Sequence, residues 1–163
     1  MAESPSPASG EERAAAALAA SGIAHAATRH GRVGSLEEAA AARGLRPDQV
    51  LKTIVVRRGE GDHVFVLVPG GRAIAWPKLR EALGVSRLSL PDAEAARAAT
   101  GYERGTITPF GSTHAWPVIA DARIPAAGPV SIGGGAHGVA YTVDADALVA
   151  ALAATVADVT DPE

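Results

Sequence analysis

Lysine occurs only at positions 52 and 78, against thirteen arginines. Lys52 sits inside the apolar run VLKTIVV, which makes it the side chain best placed to do chemistry. In an extended strand Lys52, Ile54 and Val56 share one face, and Leu51, Thr53 and Val55 share the other. An ammonium on a face that also carries apolar side chains is costly to bury unless it is paired or reaches a polar cavity. In such a cavity it offers one compact positive charge to a ligand. A strand-end lysine reaching back to water fits the same pattern equally well.

Two glycine-bearing segments are the other candidates. In GYERGTITPFG, Gly101 and Gly105 lie four apart after a helical stretch, and Pro109 and Gly111 follow. Glycines there allow backbone N–H groups to approach a ligand oxygen that a side chain would block. The spacing matches neither a Walker loop nor a dinucleotide fingerprint, so a long connection is the plain alternative. SIGGGAHG, from Ser131 to Gly138, likewise permits close backbone approach or a flexible turn.

Other chemistries find little support. The chain has no cysteine, which removes disulfides, thiolate metal sites and a thiol nucleophile together. His25, His30, His63, His114 and His137 show no metal-ligand spacing, and there is no GxSxG elbow. Neither a metal nor a cofactor is expected.

The elements that must position these residues can be read from caps and periodicity. Ser9 and Glu12 make a capping-box pattern before an alanine-rich helix ending near Ser21, with Gly22 as its stop. Ser35 and Glu38 repeat it for a second helix, with Gly44 past its end. Ser89 and Asp92 open a third, ended by Gly101, and Asp144 caps a fourth running to about Ala153. Leu51–Arg57 and the run HVFVLVP around GEGD read as a hairpin. Further strands are expected at Arg72–Ala75, Val85–Leu88, Pro117–Ala120, Val130–Ile132 and Val139–Val143. Without regular βαβ alternation, the pattern is one mixed α/β domain with a largely antiparallel or mixed central sheet flanked by helices. The domain is expected over residues 10–155, between a disordered tail at 1–9 and an acidic tail at 156–163.

At 163 residues and 47% hydrophobic, the chain can bury a core as a single domain. It carries a net charge of −3 with an uneven spread: Val50 to Leu90 holds seven bases against three acids, whereas Asp144 onward holds only acids. A modest basic face is one reading and an ordinary solvated surface the other. No segment has membrane-spanning length or the form of a signal peptide, so a cytoplasmic protein is expected, without membrane or DNA as partner.

Together these segments resemble the YbaK and prolyl-tRNA-synthetase-associated family of editing domains. LKTIVV is similar to the family's lysine-bearing strand, TGYERGTITPFG to its glycine loop, and VSIGGGAHGVAYTVDADALVAAL to its closing strand, turn, strand and helix. Order and spacing agree from about Ser21 to Leu152. The resemblance implies a YbaK-like sheet lining a pocket for the aminoacylated 3′ end of tRNA, and hydrolysis of the ester to a small, wrong amino acid. It implies water assisted by the substrate's own ribose hydroxyl rather than a protein nucleophile. Lys52, Gly101 and Gly105 become the candidate catalytic residues. His30, Thr53 and His137, the loop Thr108, Pro109, Phe110 and Gly111, and Gly134 become candidate substrate contacts. The partners implied are aminoacylated tRNA and an aminoacyl-tRNA synthetase. Members specific for cysteinyl-tRNA carry a Ser before the glycine pair and an Asp after the turn; Gly133 and Ala140 stand there instead. A non-catalytic module that holds tRNA ends or a synthetase, and an unrelated domain using its glycine loop for a phosphate, are the competing readings.

Overall fold

The computed structural model describes residues 9–31 and 33–163. Helix α1 (Gly10–Ser21) leads into strand β1 (His25–Arg29) and helix α2 (Leu36–Arg43). After a single 3-10 turn come β2 (Leu51–Gly59), β3 (Asp62–Pro69) and β4 (Arg72–Ile74), then helices α3 (Trp76–Leu83) and α4 (Ala93–Thr100). The chain closes with β5 (Val118–Asp121), β6 (Pro129–Gly133), β7 (Val139–Asp144), α5 (Ala145–Ala151), β8 (Thr155–Ala157) and β9 (Thr160–Pro162).

Local chemistry fixes most helix ends. The side chains of Ser9, Ser35, Asp92 and Asp144 each accept a backbone N–H of the first turn, satisfying donors the helix leaves open. Gly22, Gly44, Gly84 and Gly101 end four helices in the left-handed conformation.

Three small sheets result, ordered β1-β7-β6, β2-β3-β5-β8 and β4-β9. In the four-stranded sheet β2 and β3 form the antiparallel hairpin, while β5 and β8 add in parallel, so the sheet is mixed. Strand alternation splits β3 between two cores. Phe65 and Leu67 join the larger one with Leu18 of α1, Ala96 of α4, Leu148 of α5 and the β6–β7 ribbon. Val64, Val66 and Val68 face the smaller one, closed by Leu79 of α3 and Val159. Burying each such side chain contributes roughly 1.5–3 kcal/mol.

Several expected elements differ. Val85–Leu88 is no strand; Ser89 instead makes an isolated bridge to Arg57, and Asp92 alone caps α4. Helix α3 and strands β1, β8 and β9 were not foreseen. Residues 156–163, expected as an acidic tail, belong to the folded body: β8 pairs with β5, and β9 with β4. The tail expected over 1–9 lies outside the described residues except for Ser9, the cap of α1.

At the far end of the hairpin, His63 is buried against the Trp116 ring, 5.0 Å between centroids, with its Nδ1 unpartnered among the described residues. Burial pushes its pKa below the ordinary 6.5; Arg57 and His114 push the same way, and Asp62 opposes. An unfolded histidine takes its proton near 6.5, whereas this folded one resists until lower pH. Stability is therefore complete above about 6.5 and declines as pH falls through the folded value. Urea midpoints measured from pH 7.5 to 5.5 should decline, and His63→Gln should flatten part of that decline. An unchanged slope in the variant would remove His63 as its source.

Candidate functional site

One cavity of about 970 Å³ lies along β2. β2 is an edge strand, paired only with β3 in its sheet. Its outer edge is engaged at isolated bridges, Val50 to Ser131 and Arg57 to Ser89, and the stretch between them forms the cavity wall. The opposite walls are the segment after β1 with one face of α2, the loop after α4, and the glycine turn between β6 and β7.

Lys52 lines this cavity with its side chain 47% exposed and its Nζ 3.3 Å from Glu163 Oε1. Of its expected face, Val56 is buried, Ile54 half-buried and Lys52 open, so the core begins two residues after the lysine. Thr53 also reaches the cavity, and its Oγ1 is buried without a partner among the described residues. Gly105 sits across the space at φ +88°. Its N–H makes no hydrogen bond among the described residues. His137 lies beside it, Nε2 3.6 Å from Glu103 Oε2.

His30 is fixed on three sides. Its backbone N–H donates to Gly138 O at 3.0 Å, its Nδ1 is 2.8 Å from Gly31 O, and its Nε2 is 3.2 Å from Arg43 Nη2. An arginine only donates, so Nε2 accepts and the ring proton sits on Nδ1, bonded to Gly31 O. Arg43, in the last turn of α2, and Arg104 complete the cationic lining with Lys52. Burial lowers the Arg43 pKa from its ordinary value. No Asp or Glu lines the cavity among the described residues. Nor does any group of three His, Cys, Asp or Glu side chains stand ready for a metal ion among them.

The cavity thus brings together Lys52, Thr53, Gly105, His30 and His137. The remaining expected residues lie elsewhere. Gly101 spends its N–H on Arg97 O as the cap of α4, and its own carbonyl accepts Arg13 Nη2 at 2.7 Å. Thr108, Pro109, Phe110 and Gly111 turn away from the cavity. Phe110 packs in the larger core, the Tyr102 hydroxyl donates to its carbonyl, and Arg13 Nε donates to Gly111 O. Gly134 gives its N–H to Val139 O, and only its neighbour Gly133 lines the space. Arg43, Arg104 and Ile107 were missed. A helix-ending arginine reads as a partner for the helix dipole, and nothing local marks Arg43 as facing a cavity.

Two glycines are fixed by close approach. At Gly133 a Cβ would lie 3.1 Å from Ile107 O, so any side chain there requires the loop to give by a few tenths of an ångström. At Gly138, φ is +78° and a Cβ would lie 2.8 Å from His30 O. Gly138→Ala should cost roughly 1–3 kcal/mol through strain and overpacking. Thermal unfolding should register that as a midpoint several degrees lower; an unchanged midpoint would contradict the packing of His30 on the turn.

A model of the aminoacyl-tRNA editing domain matches residues 30–151, a span that contains every residue lining the cavity. A proline–tRNA ligase of Moorella thermoacetica is 37% identical over 81 residues, half of this chain but 14% of that ligase. A crystal structure described as a candidate trans-editing enzyme for prolyl-tRNA synthetase superposes with a TM-score of 0.85 at 24% identity, covering 96% of this chain and 99% of that one. A hypothetical protein of known structure gives a TM-score of 0.83 at 24% identity, over 92% of this chain and all of the other. These two share the fold. Because the family model spans most of its length and its whole cavity, the chain belongs to the aminoacyl-tRNA editing domain family.

Proposed function

We propose that the protein is a trans-editing aminoacyl-tRNA deacylase, hydrolysing the ester between a small, wrong amino acid and the terminal ribose of tRNA. The observation that supports this is the cavity itself: Lys52, Arg43, Arg104 and Gly105, whose N–H is unpartnered among the described residues, line one space with no Asp or Glu in its lining, within the editing-domain span. Such a space suits an anionic 3′ end and an ester carbonyl that gains negative charge when attacked.

An aminoacyl ester is already activated, so placing water and stabilising the oxyanion is enough. Water adds to the carbonyl carbon, with its proton passing to the ribose 2′-hydroxyl network. Lys52 or the Gly105 N–H holds the oxyanion. The bond from carbonyl carbon to ribose oxygen then breaks, that oxygen takes up the proton, and free amino acid and tRNA leave. His137 stands close enough to Gly105 to contact the same end of the substrate.

The direct test is a panel of mischarged tRNAs incubated with purified protein, beginning with alanine, serine and cysteine on the proline tRNA. That tRNA comes first because a proline–tRNA ligase is the 37% identical relative. Release of one amino acid above the uncatalysed rate supports the reading. Binding of the tRNA end without release favours the non-catalytic module of the same fold. With net charge −3, the isolated protein should bind uncharged tRNA weakly, and a synthetase should deliver the substrate. Filter binding that is tight and steeply salt-dependent would contradict that.

A further inference from the structure

We propose that Arg43 holds the phosphate of the 3′-terminal nucleotide, an assignment that rests on the deacylase reading of the cavity. Three permanent cations line this space, and their surroundings differ. Lys52 is half exposed and faces Glu163. Arg104 is exposed and donates Nη2 to Pro91 O at 3.0 Å. Arg43 is half-buried, and it meets no carboxylate among the described residues. Its Nε is sealed from water, and its one side-chain hydrogen bond among the described residues runs from Nη2 to His30 Nε2.

One edge of the guanidinium is thus buried, while its Nη1, which has no partner among the described residues and is not sealed, remains open to a ligand in the cavity. The C-terminus of α2 accounts for a positive charge at this position but not for an Nη1 left open toward the cavity. The planar fork of arginine matches an oxyanion with two parallel N–H donors, which an ammonium cannot do. His30 turns only an acceptor toward Arg43, and its own ring proton is committed to Gly31 O, so it steadies the guanidinium without neutralising it.

Cavity size selects the anion. A space of about 970 Å³ stands at the upper end of the range for drug-sized ligands and far exceeds a small amino acid. The terminal nucleotide therefore enters with its ester and brings its 5′-phosphate inside. With the phosphate on Arg43, Lys52 and Gly105 are left to the reacting carbonyl. The alternative anion, a carboxylate on the amino acid's side chain, is an outcome of the test.

The experiment is calorimetric titration of wild-type protein, Arg43→Gln and Arg43→Lys with 5′-AMP, adenosine and N-acetylglutamate. Wild-type protein should bind 5′-AMP about tenfold tighter than adenosine. Arg43→Gln should bring 5′-AMP down to the adenosine level and leave adenosine unchanged; Arg43→Lys should fall between. Equal wild-type affinity for 5′-AMP and adenosine, or no measurable 5′-AMP binding, overturns the assignment. So does an equal loss of both ligands in Arg43→Gln, which marks a structural role. Loss of N-acetylglutamate binding in place of 5′-AMP overturns it in favour of the side-chain carboxylate. If Arg43→Gln fails to fold, Arg43→Lys decides on the same criterion, selective loss of 5′-AMP against equal loss of both. Binding is read apart from hydrolysis. Arg43-dependent 5′-AMP binding with a silent deacylation panel sinks the catalytic reading alone, and hydrolysis with Arg43-indifferent 5′-AMP binding sinks this one alone.

Discussion

Lys52→Ala should lower the single-turnover deacylation rate by about 10²–10³-fold, the usual cost of removing one preorganised donor from developing charge. The fold should survive. Lys52 is 47% exposed and its ion pair is with Glu163, itself 55% exposed. Exposed pairs of this kind are worth under about 1 kcal/mol, so the thermal midpoint should move by no more than about 4 °C. Lys52→Arg should be impaired as well, because a planar guanidinium does not place its charge where a compact ammonium does. Ser112→Ala and Thr113→Ala serve as controls. Neither residue lines the cavity, and each variant should retain activity within about tenfold. A Lys52→Ala protein with wild-type turnover would remove Lys52 from the chemistry.

The second large effect lies in the substrate. A mischarged tRNA whose terminal ribose carries hydrogen in place of the 2′-hydroxyl should turn over about 10²–10⁴-fold more slowly, the range that positioned proton transfer contributes. The cavity explains why the substrate must help. Its one hydroxyl-bearing side chain is Thr53, and neither serine nor cysteine lines it among the described residues. His30 already has both ring nitrogens engaged. Full activity on the deoxy substrate would transfer the role of base to His137.

Much of this architecture was legible because it is written locally. A cap is one side chain reaching three residues ahead, so Ser9, Ser35 and Asp144 announced their helices directly. The β2–β3 hairpin was equally plain, since β-branched runs flank a short polar turn. What could not be read depends on distant partners. β1 (HAATR) is largely exposed and has no apolar alternation; it is a strand because β7 offers it an edge. β8 and β9 are three residues each and exist through β5 and β4. Val85–Leu88 has the composition of a strand, but only Ser89 just after it meets the edge of β2, at a single bridge to Arg57. Lys52 and Gly105, singled out by residue type, line the cavity, whereas Thr108–Gly111, expected there from the family resemblance, do not. The loop folds back after Ile107, and Arg13 of α1 and the Tyr102 hydroxyl hold that return in the core. Arg43 was hidden because only tertiary packing turns the end of α2 toward the cavity.

The open edge of β2 bears on how such a pocket can diverge. Where a wall is main chain, its donors and acceptors are the same for every residue type, and point substitution cannot erase them. The facing wall is different: Val33, Ala39 and Arg43 present side chains. Changes there reshape the space without touching the strand that carries Lys52. A pocket divided in this way can exchange one amino acid or nucleotide contact for another while its chemistry stays in place, so variation among descendants should accumulate on the α2 side and spare the β2 side.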